Sequence, residues 1–132
     1  MEKELMKLAS DLFTRVGQTE EGRRVIDDYE HLYQFEVDGK PEFYIELNRG
    51  VISVKSGIHH KGEYGKISLK VSMVKTDSKT LGAMLKGKLR ALDASNQGAW
   101  VIRIVSHSDQ LLYTLFRIGR EIVIEDLLAA QA

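Results

Sequence analysis

Apolar side chains recur at every second position through most of residues 33–73, and this period of two constrains the fold more than any other feature. Tyr33, Phe35 and Val37 alternate with Gln34, Glu36 and Asp38. Phe43, Ile45 and Leu47 alternate with Glu42, Tyr44 and Glu46. Ile52 and Val54 share one face of a third run over 51–56, and Ile67, Leu69, Val71 and Met73 alternate with Lys66, Ser68, Lys70 and Ser72. Successive strand side chains point to opposite faces, so the pattern predicts four strands with one apolar face each. Asp38-Gly39 supplies the positive-φ pair that a type I′ hairpin turn needs, and Arg49-Gly50 marks the next turn. The runs read as an antiparallel meander, with helices on the apolar face and water on the other. Residues 57–65 read as a glycine-rich loop.

Helical spacing flanks this block. Leu5, Leu8, Leu12, Phe13 and Val16 predict a helix over residues 2–16, with Gly17 as its left-handed stop. A second helix is expected from Glu20 to about Glu30. Thr19 would cap it and Val25, Ile26 and Tyr29 would be buried, although Gly22 weakens it. After Thr76 the period becomes helical again. Asp77 or Thr76 caps a helix carrying Leu81, Met84 and Leu85, and Gly87 stops it. A shorter helix or turn covers residues 89–97, ending at Gly98. Trp100, Ile102 and Ile104 form a fifth strand. Ser106 or Ser108 then caps a long helix bearing Leu111, Leu112, Leu115, Phe116, Ile118, Ile122, Val123, Leu127 and Leu128. The expected fold is α+β, a five-stranded, largely antiparallel sheet with helices packed on one face.

The chain has 132 residues and no linker-like tract, which fits one domain. Residues 1–31 form an N-terminal helical region, and residues 32–132 hold the sheet, the motif helices and the C-terminal helix. Lys plus Arg and Asp plus Glu both total 19, so no basic excess points to nucleic acid. There is no cysteine, which removes disulfides, thiolate nucleophiles and Cys-based zinc sites, and fits the cytoplasm. No apolar stretch follows Met1-Glu2-Lys3-Glu4 as in a secretory signal, and no run reaches the ~18 apolar residues of a membrane span. Neither integral membrane association nor a nucleic-acid partner is expected.

Reactive groups are sparse. His59 and His60 are neighbours that diverge in extended backbone, and no paired-histidine ligand spacing occurs with His31 or His107. All four histidines read as solvated loop residues, with no metal and no cofactor. Gly57, Gly62 and Gly65 lack the spacing of a phosphate loop, and Gly65-Lys66 leads into a strand. Asp27-Asp28 and Glu125-Asp126 are helix neighbours that do not face one another. No Gly-x-Ser-x-Gly elbow exists. A chain rich in apolar surface and poor in reactive groups is expected to bind a ligand without transforming it, and not to be an enzyme.

The segment from Thr76 to Ala94 resembles the sterol carrier protein 2-like family. That family carries a helix of the form Leu-x-x-Leu/Met-Leu-x-Gly-x-Leu after a capped strand, then a short helix, a glycine and a last strand. Leu81, Met84, Leu85, Gly87, Leu89, Ala94 and Gly98 occupy those places. The similarity in element order runs from about Leu32 to Leu128. Where family members often carry Gly-Asp, this chain has Ser106-His107-Ser108-Asp109, and the family's peroxisomal signal is absent. The resemblance implies an apolar tunnel between sheet and C-terminal helix for a fatty acyl chain, sterol or other lipid. Trp100, Ile102 and Ile104 would form its floor, Leu81, Met84 and Leu85 a wall, and Leu111, Leu112, Leu115 and Phe116 the lid. The alternatives are an interaction module that forms a homodimer through the final helix, and an accessory domain to a separately encoded enzyme.

Overall fold

The structure, a computed structural model, describes residues 2–57, 71–104 and 109–131. The elements run α1 (Glu2–Gln18), α2 (Glu20–Ile26), β1 (Glu30–Val37), β2 (Lys40–Asn48), β3 (Val51–Ser56), β4 (Val71–Thr76), α3 (Ser78–Leu85), α4 (Ala91–Asn96), β5 (Trp100–Ile104) and α5 (Asp109–Gln131). The five strands form one sheet in the order β3-β2-β1-β4-β5. Three neighbouring pairs are antiparallel, and β1 pairs with β4 in parallel.

Local chemistry explains the hairpins. Asp38 and Gly39 both take positive φ, 53° and 81°, as a type I′ turn requires. Arg49 and Gly50 do the same at 44° and 91°. β1 and β2 then pair with Phe35 opposite Phe43 and Tyr33 opposite Ile45, and β3 sets Ile52 and Val54 opposite Leu47 and Ile45. These side chains share the helix-covered face of the sheet. Phe35 and Phe43 stack there with ring centroids 4.6 Å apart.

The fourth strand corrects two expectations. It does not extend the meander antiparallel; the chain crosses from the β3 edge to the far side of β1, where β4 runs parallel. Its face also differs. Ser72 and Val74, opposite Tyr33 and Phe35, are fully buried, while Val71 and Met73 lie half-buried on the other side. The strand has apolar residues on both faces, Val74 on the inner one and Val71 and Met73 on the outer. Ile67 and Leu69 lie outside the described residues, as do most of the 57–65 loop and the caps Ser106 and Ser108.

The outer face is not uniformly exposed to water. Leu32 and Gln34 point there and are buried, since β1 is the central strand. Gln34 Nε2 donates to the carbonyl oxygens of Phe43 (3.0 Å) and Gly57 (2.9 Å), so its amide N–H groups are satisfied. His31 is the other correction. It is no loop residue but the second residue of β1, 4% exposed, with Nε2 2.8 Å from Ser72 Oγ.

The helices pack on the opposite face. Thr19 caps α2 by accepting from Gly22 N, and Asp77 caps α3 by accepting from Thr80 N. Gly87 follows α3 at φ 74°. Two glycines play other parts than expected. Gly17 lies within α1, where its bare Cα admits Ile52 of β3. Gly22 is buried at the α1–α2 corner, where a Cβ would stand 1.9 Å from the Val16 carbonyl oxygen. The second helix therefore needs glycine, and stops at Ile26 because β1 begins at Glu30. One core joins Ala9, Leu12, Phe13 and Val16 of α1 to the sheet, α3, α4 and α5. Leu8, Leu127 and Leu128 are exposed, against the expectation from their spacing.

Candidate functional site

The final helix divides into two stripes. Leu112, Leu115, Gly119 and Ile122 recur at spacings of three and four and face α1 and the sheet. A Cβ on Gly119 would lie 3.0 Å from Leu12 Cδ2, so the helices cross closely there. Phe116 packs edge-on against Phe13 and Trp100 at 5.1 and 5.2 Å. Surface ion pairs border this flank, Arg15 with Asp126 and Arg117 with Glu21.

The second stripe holds Tyr113, Phe116, Arg117 and Arg120, at i, i+3, i+4 and i+7. It faces the segment from Met84 through α4, and the two do not close. Between them lies a cavity of about 330 Å³, whose apolar wall is Met84, Leu89, Ala91, Leu92, Tyr113 and Phe116. Arg90, Thr114, Arg117, Arg120 and Glu121 complete its rim. The chain leaves α3 through the left-handed turn at Gly87. The turn carries the chain away from α3, and Val123 packs against the bare Cα. A second groove, of about 430 Å³, lies between Leu5 and Leu8 of α1 and Gly82 and Ala83 of α3, edged by Lys79, Lys86 and Lys88.

Most of the expected site residues lie in packed interior beside the first cavity. Met84 and Phe116 line it. Leu81, Leu85, Trp100, Leu112 and Leu115 are buried in the core, with Ile102 and Leu111 packed against it. Ile104 ends β5 opposite Ser72, and its side chain lies outside the described residues. Beneath α5 the space is occupied by the rings of Phe35, Trp100 and Phe116. Sequence reasoning missed Leu89, Ala91, Tyr113 and Arg120 as cavity residues. The signal was available in the 113/116/117/120 spacing, which is a helix stripe in its own right.

The electrostatics of the rim are uneven. Arg90 donates two hydrogen bonds to Asp93, at 2.8 and 3.1 Å. These hold the Asp93 carboxyl below the usual range; desolvation opposes the shift, and the charges of Arg90 and Arg120 reinforce it. Arg117 is held by both Glu21 and Glu121. Deeper in, Trp100 Nε1 is the one buried side-chain polar atom among the described residues without a hydrogen-bond partner. Burial alone pushes His31 down to about 4, so it is neutral at pH 7. Among the described residues no three His, Asp or Glu side chains gather as a metal-binding group. None of the described helices is long and apolar enough to cross a membrane.

The arrangement, a mostly antiparallel five-stranded sheet with the motif helices and a long C-terminal helix on one face, is the sterol carrier protein 2-like fold. Solved structures bear this out. A crystal structure of sterol carrier protein 2 superposes with a TM-score of 0.58 at 16% identity, covering 85% of this chain and 93% of that one. Sterol carrier protein-2 like-3 from Aedes aegypti gives 0.53 at 14% identity, covering 84% and 94%. A stereoselective inverting sec-alkylsulfatase from a Pseudomonas species also matches, at 0.53 and 15% identity, over 73% of this chain and 14% of that one. No family model and no curated sequence matches the chain.

Proposed function

We propose that the protein is a single-domain, non-catalytic binder or carrier of an apolar ligand, held between the α3–α4 segment and α5. The cavity beside α5 carries this reading. Its volume of about 330 Å³ falls in the range of roughly 300–1,000 Å³ that small-molecule sites occupy. Its walls are leucine, methionine, alanine and aromatic rings, which an alkyl chain contacts without stranding polar groups. The ligand enters along Leu89 and Tyr113 and reaches Met84 and Phe116. Leu81, Leu85, Trp100, Ile102, Leu111, Leu112 and Leu115 form the apolar interior behind those two. The fold, shared with proteins whose names state sterol carriage, supports the same reading. The lack of cysteine accords with a cytoplasmic setting.

Native mass spectrometry of the purified protein, followed by lipid extraction, tests the proposal. A co-purifying lipid, or saturable binding of a fluorescent fatty acid, is expected. Absence of both would remove it.

A second reading rests on Leu127 and Leu128, 56% and 62% exposed near the end of α5. They favour a homodimer through the C-terminal helix, which sedimentation over a range of concentrations would detect and Leu127→Ser with Leu128→Ser would abolish.

A further inference from the structure

The groove between α1 and α3 is apolar along its floor and positive along its edge. Lys79, Gly82, Ala83 and the C-cap Lys86 follow the i, i+3, i+4, i+7 spacing of one stripe of α3, a cation at each end and almost bare backbone between. Opposite them α1 presents Leu5 and Leu8, the latter 37% exposed. A Cβ on Gly82 would meet only Leu5 Cδ2, at 3.5 Å, so the floor is open. Lys88 stands on the same edge, and Glu4 is the one acid on the rim. Among the described residues none of the three lysines has a carboxylate in ion-pair range. The end of α5 has the opposite character. After Arg120 the chain carries Glu121, Glu125 and Asp126 and no lysine or arginine. Ile124, Leu127 and Leu128 share one stripe there, at i, i+3 and i+4, with Glu121 and Glu125 along its side. Both leucines are exposed, and Glu125 has no ion pair among the described residues. Asp126 is turned away, to Arg15.

From this we infer that the α1–α3 groove receives the end of α5 from a second copy of the chain, and that the exchange is reciprocal. The inference rests on the reading of Leu127 and Leu128 as dimer residues and names the surface they meet. Both halves of the contact lie on one side of the molecule. Gly87 sits between Lys86 and Lys88, Val123 packs against its bare Cα, and Leu127 is one helical turn beyond Val123. A two-fold axis at that side seats each tail in the other copy's groove and closes the pair, leaving no end to propagate. At about 30 Å³ per water-sized group, the groove of about 430 Å³ takes roughly fourteen such groups. The side chains of Ile124, Leu127 and Leu128 together supply about a dozen carbon atoms, which fits that space. Removing them from water supplies the attraction. The pairing of Glu125 and Glu121 with the groove lysines sets the direction in which the tail enters and disfavours a tail against a tail, where like charges meet.

Sedimentation velocity of the full chain at about 5–500 μM tests this. The wild type is expected to dimerise. Its dissociation constant should rise about tenfold or more in Lys79→Glu with Lys86→Glu, and also in Glu125→Lys. Mixing those two variants should restore association close to that of the wild type. In the mixed pair one tail and groove are unaltered, and the other contact has both charges reversed. Lys55→Glu, on the face of β3 away from the helices, should leave the constant unchanged. Circular dichroism checks that each variant keeps its fold. A wild-type dimer that ignores the groove substitutions, or variants that fail to rescue one another, would overturn the inference and spare a dimer through α5. Growth beyond a dimer would overturn the reciprocal closure. A dimer that survives Leu127→Ser with Leu128→Ser would overturn both readings, as would a wild type that stays monomeric throughout.

Discussion

The two flanks of α5 differ in how they are finished. Toward α1 and the sheet, Leu112, Leu115, Gly119 and Ile122 meet partners closely, and the rings of Phe13, Phe35, Trp100 and Phe116 fill the space between. Toward α3 and α4, Tyr113, Phe116, Arg117 and Arg120 stand off across about 330 Å³. The same helix thus packs one stripe into the core, and under the proposed function the other stripe is the one that meets a ligand. Substitutions on the sealed flank should cost folding free energy, and those on the open flank should cost ligand.

The largest effect is expected from Leu115→Ala. Removing a fully buried leucine side chain should destabilise the protein by about 3–4 kcal/mol. Urea unfolding would measure this, and a loss under 1 kcal/mol would show that the flank is not sealed.

The His31–Ser72 pair gives the sealed interior a pH signature. The folded pKa of about 4 lies below the unfolded 6.5, so between these values the unfolded chain binds the extra proton. Stability from neutral His31 is therefore fully present above pH 6.5, lost as pH falls toward 4, and flat below. The full shift corresponds to at most about 3 kcal/mol. Unfolding free energies of wild type and His31→Gln across pH 4–7 should converge as pH drops. Parallel curves would contradict the burial of His31.

Leu89→Trp sharpens the other side. The larger ring should narrow the cavity and weaken an alkyl ligand about tenfold, while stability changes by less than about 1 kcal/mol because Leu89 is only partly buried. Arg15→Gln should give the smallest effect, a few tenths of a kcal/mol by thermal unfolding, because both partners of the Arg15–Asp126 pair are half-exposed.

The sequence disclosed features whose cause is local. The hairpins were legible because Asp38-Gly39 and Arg49-Gly50 state the turn geometry in two residues. Asp77 and Gly87 bound α3 in the same way. The passage of β4 to the far side of β1 was not legible, since that pairing depends on residues about forty positions apart. Nor was the inward face of β4, where Ser72 and Val74 displace the apolar set ending at Val71 and Met73. His31 was read as solvated because its residue type is polar, yet a neighbouring strand supplies a hydroxyl. At the site, Met84 and Phe116 followed from the helix pattern. The cavity beside them did not, because it results from two helical segments failing to meet.

The central claim is that the open flank of α5 receives the ligand. Titration of the ¹⁵N-labelled protein with decanol, followed by backbone amide shifts, tests it most directly. Saturable shifts concentrated at Met84, residues 89–92 and residues 113–120 are predicted. Shifts centred on Leu5, Leu8 and Gly82 at the second groove, or no saturable shift anywhere, would contradict it.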